Sequence, residues 1–456
     1  MHGALGMATP QVTTRILRRL LASGFTARAE RLLARMPPAD IAPLFSGLTP
    51  DEIRTVIELL FRRRRAARTL KELPPEMLPQ VFEAVTDQRL AAVLGRLEID
   101  DLTEIVEWIP EERRVEVVNR LHDGKRGELE RAALYPESSA GRVMTTSFVA
   151  LDEKMTAQEA IESIRAAGDE NESILYLYVI DDQRALCGVV PIRRLVSAPP
   201  LRTIGELMIP DPVSVRADDD QEEVAQLVAR YDLLAVPVTD VDRRMLGVIT
   251  VDDVIEVITE EATEDMYNLA GLNDADRVFT PASTSVRKRL PWQFMNLGAV
   301  FISAWVVGLF EQTLDQIVTL AVFMPVINGM GGNGGVQSLT VVTRAMALGE
   351  IEFSSGLRAV GKELMVGLAM GLCAGIAAGT IAWLWQGNPW LGAVLCAAMV
   401  VTLTVAGLLG AAVPVLLKAL RQDPALGSGA IVVTATYALG LFCFLGLGTL
   451  LIERLA

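Results

Sequence analysis

The stretch of sequence that decides the fold is "PVINGMGGNGGVQSLTVVTRAMALGE", residues 325–350. It lies mostly within an uncharged run, residues 316–343, which is longer than the roughly 20 apolar residues that a membrane-spanning helix needs. Polar side chains survive at membrane depth mainly where they face protein or a wet cavity. The pattern therefore predicts a pore wall, and a tight glycine-mediated helix contact is the alternative. The polar side chains, set among five glycines, are Asn328, Asn333, Gln337 and Ser338.

Three further uncharged runs surround this segment, at residues 290–310, 364–417 and 424–452. The turn-like "QGNPW" interrupts the longest run, so the four runs predict five transmembrane helices. Basic residues of short loops mark the cytoplasmic side. The opposite side has only Arg454, so we expect the N-terminal half in the cytoplasm and the C-terminus outside. The basic residues of the cytoplasmic side are Arg287, Lys288, Arg289, Arg344, Arg358, Lys362, Lys418 and Arg421.

Charge is distributed unevenly between the two halves of this 456-residue chain. The net charge of −14 divides into −16 for residues 1–286 and +2 for residues 287–456. An acidic surface repels nucleic acid and anionic lipid headgroups, so we expect cations as partners and no nucleic acid. The only histidines are His2 and His122, and the four cysteines lack Cys-x-x-Cys spacing. A zinc or soft-metal site is therefore disfavoured, and a hard cation held by oxygen is favoured.

The soluble half begins with repeated helix starts, "MPPADIAPLF", "LTPDEIRTVIELL", "LPPEMLPQVFEAV" and "IPEERRVEVVNRL". Proline followed by an acid suits the first turn of a helix. The pattern predicts an all-α superhelical N-terminal domain. We place the domains as follows: helical N domain 1–135, tandem α/β domains 136–198 and 199–258, acidic connecting helix 259–286, and a five-helix membrane domain 287–456.

Residues 140–258 carry a β-α-β-β-α pattern twice, and each copy contains a hairpin of the form "V-x-D…[LM]-x-G-V". The pair resembles tandem CBS domains, most closely at "GVITVDDV", residues 247–254. In that family the Thr and Asp of this motif hold the ribose and phosphates of an adenine nucleotide, here Thr250 and Asp253. Pro191 and Arg194 stand at the matching places of the first copy, so the resemblance implies at most one nucleotide site, for ATP. The alternative is that Asp253 only starts a helix.

An acid-rich segment, "VDDVIEVITEEATEDMYNLAGL" (residues 251–272), leads to the first membrane run. Asp253 and Glu256 are three residues apart, while Glu261, Glu264 and Asp265 share one helical face. Like charges at these spacings destabilise a helix by a few tenths of a kcal/mol per pair. A divalent cation that bridges the carboxylates would remove this repulsion. The segment therefore favours a cation sensor over a merely solvated acidic face.

The order of a helical domain, two CBS motifs, an acidic helix and five membrane helices resembles the MgtE family of magnesium transporters. The "GMGGN-x-G-x-Q-S" stretch with "R-x-M-A-x-G-E" carries the resemblance over nearly the whole chain. It implies a homodimer in the inner (plasma) membrane, with a Mg²⁺ pore on the two-fold axis. It also implies that cytosolic Mg²⁺ closes the pore by binding acids of the N domain, the CBS domains and the connecting helix. An enzyme is not expected, since no His-Glu-x-x-His or Gly-x-Ser-x-Gly is present.

Two sets of residues follow from the resemblance. The metal-binding sensor positions are Asp100, Glu104, Asp220, Glu222, Asp232, Asp253, Glu256, Glu261, Glu264 and Asp265. The pore-lining positions are Asn328, Gly331, Asn333, Gln337, Thr434, Thr436, Tyr437 and Gly440.

The pore set departs from the family pattern at its most important position. Tyr437 stands where the family places the aspartate that binds hydrated Mg²⁺, and Ala430 stands where it places a proline. A phenol stays neutral at physiological pH, so this filter lacks its charge. Gated Mg²⁺ transport remains the leading hypothesis. The alternatives are transport of another cation at lower selectivity, or a non-conducting Mg²⁺ or nucleotide sensor.

Overall fold

The protein is represented by a computed structural model that describes residues 10–167, 176–272, 280, 282–351, 353–420, 422–425 and 428–455. The chain forms two compact units, Met1–Val257 and Ile258–Ala456. Of the residues singled out from the sequence, His2 and Arg421 lie outside the described residues, as do 273–279 and 281 of the predicted connecting helix.

The first unit opens with the predicted helical domain. Proline starts several of its helices, and Thr49 and Glu52 form a capping box at one of them, with Thr49 N–H donating to Glu52 Oε2 over 2.8 Å. Phe45 and Phe82 are fully buried in its core. Two 3₁₀ turns, Ala42–Gly47 and Pro75–Met77, accompany helices α1 Pro10–Ala22, α2 Thr26–Leu33, α3 Pro38–Ile41, α4 Pro50–Arg62, α5 Ala66–Lys71, α6 Leu78–Ala84, α7 Asp87–Leu94, α8 Ile99–Glu107, α9 Glu111–Asn119 and α10 Asp123–Ala132.

The second part of the first unit confirms the predicted duplication. The first copy contains α11 Ala140–Val143, β1 Ala150–Asp152, α12 Ala157–Ala167, β2 Tyr176–Ile180, β3 Leu186–Pro191 and α13 Ile192–Val196. The second contains α14 Ile204–Leu207, β4 Ile209–Pro210, β5 Val215–Arg216, α15 Gln221–Tyr231, β6 Ala235–Thr239, β7 Met245–Thr250 and α16 Val251–Leu269. In each copy a parallel strand pair, β1–β2 or β5–β6, adjoins an antiparallel hairpin, β2–β3 or β6–β7.

The two copies exchange their opening segments. Strand β4 of the second copy pairs with β3 of the first, and Thr145 of the first copy pairs with Val248 on β7 of the second. A glycine makes room for each exchanged segment. A Cβ on Gly188 would lie 3.0 Å from the Ile209 carbonyl oxygen, and one on Gly247 would lie 2.6 Å from the Thr145 carbonyl oxygen. These glycines stand at matching positions of the two hairpins, in "L-x-G-V" at residues 186–189 and in "M-x-G-V" at residues 245–248.

The second unit is helical, as predicted. After α16 come α17 Ala282–Gly308, α18 Glu311–Gln316, α19 Thr319–Ala347, α20 Phe353–Gln386, α21 Pro389–Ala419, α22 Ser428–Leu450 and α23 Ile452–Leu455. By length and composition, the described helices α17, α20, α21 and α22 could cross a membrane. Helix α19 has 29 residues and is not in that group, because its polar motif lowers its hydropathy. Helix α16 is continuous from Val251, so the predicted start of the connecting helix at residue 259 falls inside a helix.

Helices α20 and α21 pack with their backbones close together. Four glycines of α20, spaced four residues apart, face α21 at residues 367, 371, 375 and 379. A Cβ on Gly379 would lie 2.5 Å from the carbonyl oxygen of Gly392. Small residues at such spacing allow close helix packing inside a membrane, where no hydrophobic force drives helices together.

Candidate functional site

Three helix ends of the first unit meet at one lysine. Lys71 ends α5, Asp100 and Asp101 lie in the first turn of α8, and Asp253 lies in the first turn of α16. The ammonium nitrogen of Lys71 is 3.0 Å from Asp101 Oδ1 and 3.8 Å from Asp253 Oδ1. Thr250 Oγ1 donates to Asp253 Oδ2 over 2.7 Å and fixes that carboxylate. The structure thus brings Asp100 and Asp253, two predicted sensor residues, to one place.

The electrostatics of this group favour an additional cation. Burial raises the pKa of Asp100, and the charges of Asp101 and Asp253 raise it further. Burial also raises the pKa of Asp101 and of Asp253, although Lys71 opposes the shift in both. Asp100 Oδ1 is buried and has no hydrogen-bond partner among the described residues. A buried carboxylate oxygen without a hydrogen-bond partner lowers the stability of the fold, and a hard divalent cation bound to it would compensate for that loss.

The acids of α16 form a second group, within the second unit. Burial raises the pKa of Asp265 to about 6, and the charges of Asp423, Glu261 and Glu264 raise it as well. Asn268 Nδ2 donates to Asp423 Oδ2 over 3.0 Å, which holds Asp423 near the helix. Three predicted sensor positions, Glu261, Glu264 and Asp265, therefore influence one another as the spacing predicted.

The remaining predicted sensor residues lie on α8, α15 and α16. Asp220 caps α15 and accepts from the Glu222 backbone N–H over 2.8 Å. Asp232 ends the same helix in the left-handed conformation, with φ 51°. Glu104 lies on α8, and the charge of Glu256 acts on Lys71. Across the described ranges, no group of three or more acids, histidines or cysteines is arranged to hold a metal ion.

A cavity of about 910 Å³ adjoins the Lys71 group. Thr250 and Asp253, the predicted nucleotide-binding residues, line it together with Tyr176. Basic side chains line it as well, and they offer donors and positive charge to phosphates. These basic residues are Arg64, Arg68, Lys71, Arg96 and Lys125.

In the membrane unit, α19 presents a polar row to the outside of the chain. Asn333, Gln337 and Thr340 recur at i, i+4 and i+7 and are exposed. Their row is not covered by the helices that the structure describes. Val336, beside it, is exposed as well.

Tyr437 packs directly on the glycine-rich face of α19. A Cβ on Gly332 would lie 2.7 Å from Tyr437 Cε1 and 2.8 Å from its hydroxyl oxygen. The phenol therefore occupies space that any side chain at residue 332 would fill. Tyr437 and Thr434 are both partly buried on α22.

Three of the predicted pore residues are buried between helices of this chain. Thr436 is 1% exposed, and its hydroxyl donates to the Val432 carbonyl over 2.7 Å. A Cβ on Gly331 would contact the side chains of Thr402 and Thr436, and a Cβ on Gly440 would contact those of Thr402 and Ile327. Asn328 is partly buried, with an Oδ1 that has no hydrogen-bond partner among the described residues. A pore role for these positions stays a prediction.

Known proteins are similar to this chain over nearly its whole length. The family model "Divalent cation transporter" (MgtE) matches residues 324–447, the MgtE intracellular N domain matches 36–138, and the CBS domain matches 140–200 and 204–260. The chain is 34% identical over 449 residues to the magnesium transporter MgtE of Thermus thermophilus, covering 96% of this chain and 98% of that protein. The chain belongs to the MgtE family. It is also 32% identical over 424 residues to the magnesium transporter MgtE of Bacillus subtilis, covering 93% of this chain and 91% of that protein.

Two solved structures resemble the soluble part of this MgtE family member. One is the cytosolic domain of the Mg²⁺ channel MgtE in complex with ATP, at 35% identity and a TM-score of 0.51. The match covers 54% of this chain and 99% of the solved chain. The other is the soluble part of a magnesium transporter, at 26% identity and a TM-score of 0.52, covering 56% of this chain and 100% of that one.

Several charged residues at these sites were not predicted from the sequence of this MgtE family member. Glu363 on α20 is only 3% exposed, accepts from Ser338 Oγ over 2.8 Å and pairs with Lys362 over 2.6 Å. Lys71 lies in no acidic motif, so nothing in the sequence pointed to it. Asp101 adjoins a predicted ligand, Asp100, so it had a usable signal in the sequence.

Proposed function

We propose that the chain conducts Mg²⁺ across a membrane through a pore lined by α19 and α22. The observation that carries this proposal is the exposed polar row of Asn333, Gln337 and Thr340 on a helix of membrane length. The hydroxyl of Thr340 donates to the Val336 carbonyl over 2.9 Å, but the exposed amides of Asn333 and Gln337 need water or another polar surface at membrane depth. A homodimer, with the two rows facing across its axis, supplies that surface. The full-length similarity to magnesium transporters supports the same reading.

The second part of the proposal is that the cytosolic acids sense Mg²⁺ and close the pore. The buried, unpartnered Oδ1 of Asp100 and the raised pKa of Asp265 both mark positions where negative charge lacks compensation. A bound divalent cation would supply that compensation through its charge and its water ligands. Binding would then stabilise one arrangement of the helices that carry the acids.

The proposed topology places the N-terminal half in the cytoplasm, in the inner (plasma) membrane, and the C-terminus outside. Its support is the eight basic residues of one set of short loops against Arg454 alone on the other.

ATP is proposed as a ligand of the second CBS copy, at Thr250 and Asp253. The basic side chains of the adjoining cavity, which acidic side chains line as well, support this, and so does the similar cytosolic domain solved with ATP.

Tyr437 gives a specific reason to keep a second candidate, transport of another cation at lower selectivity. An aspartate about 5 Å from a divalent ion, at an effective dielectric near 20, contributes about 6–7 kcal/mol before desolvation. The phenol on Gly332 has a dipole and no net charge. A filter of this kind discriminates less by valence than one that carries carboxylates.

Ion flux from protein reconstituted in vesicles tests both candidates. We expect wild-type protein to pass Mg²⁺, and Tyr437→Asp to pass it faster and with stronger preference over Na⁺. Competition among Mg²⁺, Mn²⁺, Co²⁺ and Na⁺ separates a Mg²⁺ pathway from a less selective one. Growth rescue of cells that lack other Mg²⁺ importers is the matching test in vivo. A silent wild type beside a conducting Tyr437→Asp would instead identify a non-conducting sensor.

A further inference from the structure

Lys71 is a cation built into the group of acids proposed to sense Mg²⁺. Its side chain is 30% exposed, while those of Asp101 and Asp253 are 12% and 10% exposed. Burial lowers the pKa of Lys71, but Asp101, Asp253 and Glu256 raise it more, so the net shift is upward. The ammonium therefore stays charged throughout the physiological pH range.

The charges around this lysine do not balance. Asp100, Asp101 and Asp253 carry three negative charges when ionised, and Lys71 supplies one positive charge. Asp100 Oδ1 remains buried without a partner among the described residues, so the lysine does not satisfy all three carboxylates. An ammonium is a point charge with three donors and can reach only some of the oxygens around it. Within these four side chains the carboxylates outnumber the ammonium, so the group favours a further cation when they are ionised.

We propose that Lys71 is a tethered counter-ion of the sensor, which holds Asp101 and Asp253 together without divalent cation and competes with Mg²⁺ for their oxygens. The inference rests on the proposed function of these acids as a Mg²⁺ sensor. In the absence of Mg²⁺ the ammonium stabilises the contact between the first turns of α8 and α16. When Mg²⁺ binds, the ammonium must give up part of its contact, so the lysine lowers the affinity for Mg²⁺.

Two opposite effects therefore follow from one substitution. Lys71→Met removes the charge and keeps most of the aliphatic stem. Without divalent cation, the carboxylates of α8 and α16 repel each other and their contact loosens. With Mg²⁺, the ion no longer competes with an ammonium for the carboxylate oxygens, so binding strengthens, by about tenfold or more. A residue with only a packing role would loosen the contact without raising the affinity for Mg²⁺.

Hydrogen exchange of the full-length protein in detergent tests this proposal. Amides of α8 (Ile99–Glu107) and of the first turns of α16 are followed in chelator and across a Mg²⁺ titration. We expect Lys71→Met to exchange faster than wild type in chelator and to reach half-maximal protection at about tenfold lower Mg²⁺. Lys71→Arg, which keeps the charge, should stay close to wild type in chelator.

Lys154→Met is the control, because Lys154 pairs with Asp182 at 3.8 Å and does not line the cavity beside Lys71. It should leave both measurements unchanged, and amides of α4 should confirm that each variant is folded. Equal exchange of wild type and Lys71→Met in chelator overturns the tether, and an unchanged or higher half-maximal Mg²⁺ overturns the competition. If wild type itself does not respond to Mg²⁺, the proposed sensor fails, and the chelator comparison still decides whether Lys71 holds the two helices.

Discussion

At the scale of single residues, the contact between Tyr437 and Gly332 limits which side chains fit at both positions of the predicted filter. The ring of Tyr437 lies where a Cβ on Gly332 would be, so the two residues depend on each other sterically. The phenol stands where the sequence resemblance implies an aspartate, and it also fills space against α19. Restoring an aspartate at residue 437 therefore changes both charge and packing.

We expect Gly332→Ala to lower the free energy of unfolding by about 1–3 kcal/mol, because the new methyl group overpacks against the Tyr437 ring. In a Tyr437→Ala background the same change should cost little. Thermal unfolding in detergent of both single variants and the double variant gives the coupling energy. Gly329→Ala is the control, since no atom lies within 4 Å of a Cβ there, and it should be neutral or slightly stabilising. Additive effects at residues 332 and 437 would contradict the contact.

The residues of the candidate sites differ in how far the sequence could predict them. Asn333 and Gln337 were predictable because polar side chains stand out in an apolar run. Gly331, Thr436 and Gly440 stand in the same motifs, but helix packing buries them, and packing partners far apart in sequence leave no local pattern. Lys71 could not be predicted, because only the folded chain brings the end of α5 to the first turns of α8 and α16.

At the scale of elements, helix α16 carries five of the proposed sensor residues, Asp253, Glu256, Glu261, Glu264 and Asp265. The predicted acidic helix exists, but it begins at Val251, directly after β7, and ends at Leu269. The acid spacing indicated the shared face of Glu261, Glu264 and Asp265 correctly. It could not indicate Asp423, which lies on a distant segment and adds its charge to theirs.

The raised pKa of Asp265 predicts a pH dependence. Because its pKa is about 6 in the folded protein and about 4 in an unfolded chain, the folded state binds the proton more tightly, and stability from this group falls as pH rises through about 4–6. Asp265→Asn should therefore unfold at a higher temperature than wild type at pH 7 in chelator, with the difference shrinking towards pH 5. Asp423→Asn should move the transition to lower pH. A difference that is constant between pH 5 and 7 would count against the shift.

At the scale of the whole molecule, the uneven charge of the sequence matches the two units of the structure. The acidic residues concentrate in the first unit and on α16, while the helices of residues 282–455 carry few charges. Composition was enough to predict this division, because membrane helices and soluble domains require different amounts of apolar surface. It was not enough to predict the exchange of segments between the CBS copies, which depends on contacts between distant residues.

Millimolar Mg²⁺ should protect residues 258–290 of the full-length protein from protease. The reason is that a cation bound by the acids of α16 would stabilise the helix and reduce local opening. Limited proteolysis with mass spectrometry, in Mg²⁺ and in chelator, measures the effect. Glu261→Gln with Asp265→Asn should abolish it. Equal cleavage rates of the wild type in both conditions would argue against a sensor in this helix.

The exchanged segments of the CBS copies have a consequence for the order in which the chain is made. When residue 198 has been synthesised, the first sheet still lacks β4, its fourth strand, because residues 209–210 belong to the next copy. Thr145, made earlier, must wait for β7 and Val248 about a hundred residues later. The first copy therefore cannot complete its sheet on the ribosome until the start of the second copy emerges, and its Thr145 bridge forms only after the second hairpin is made.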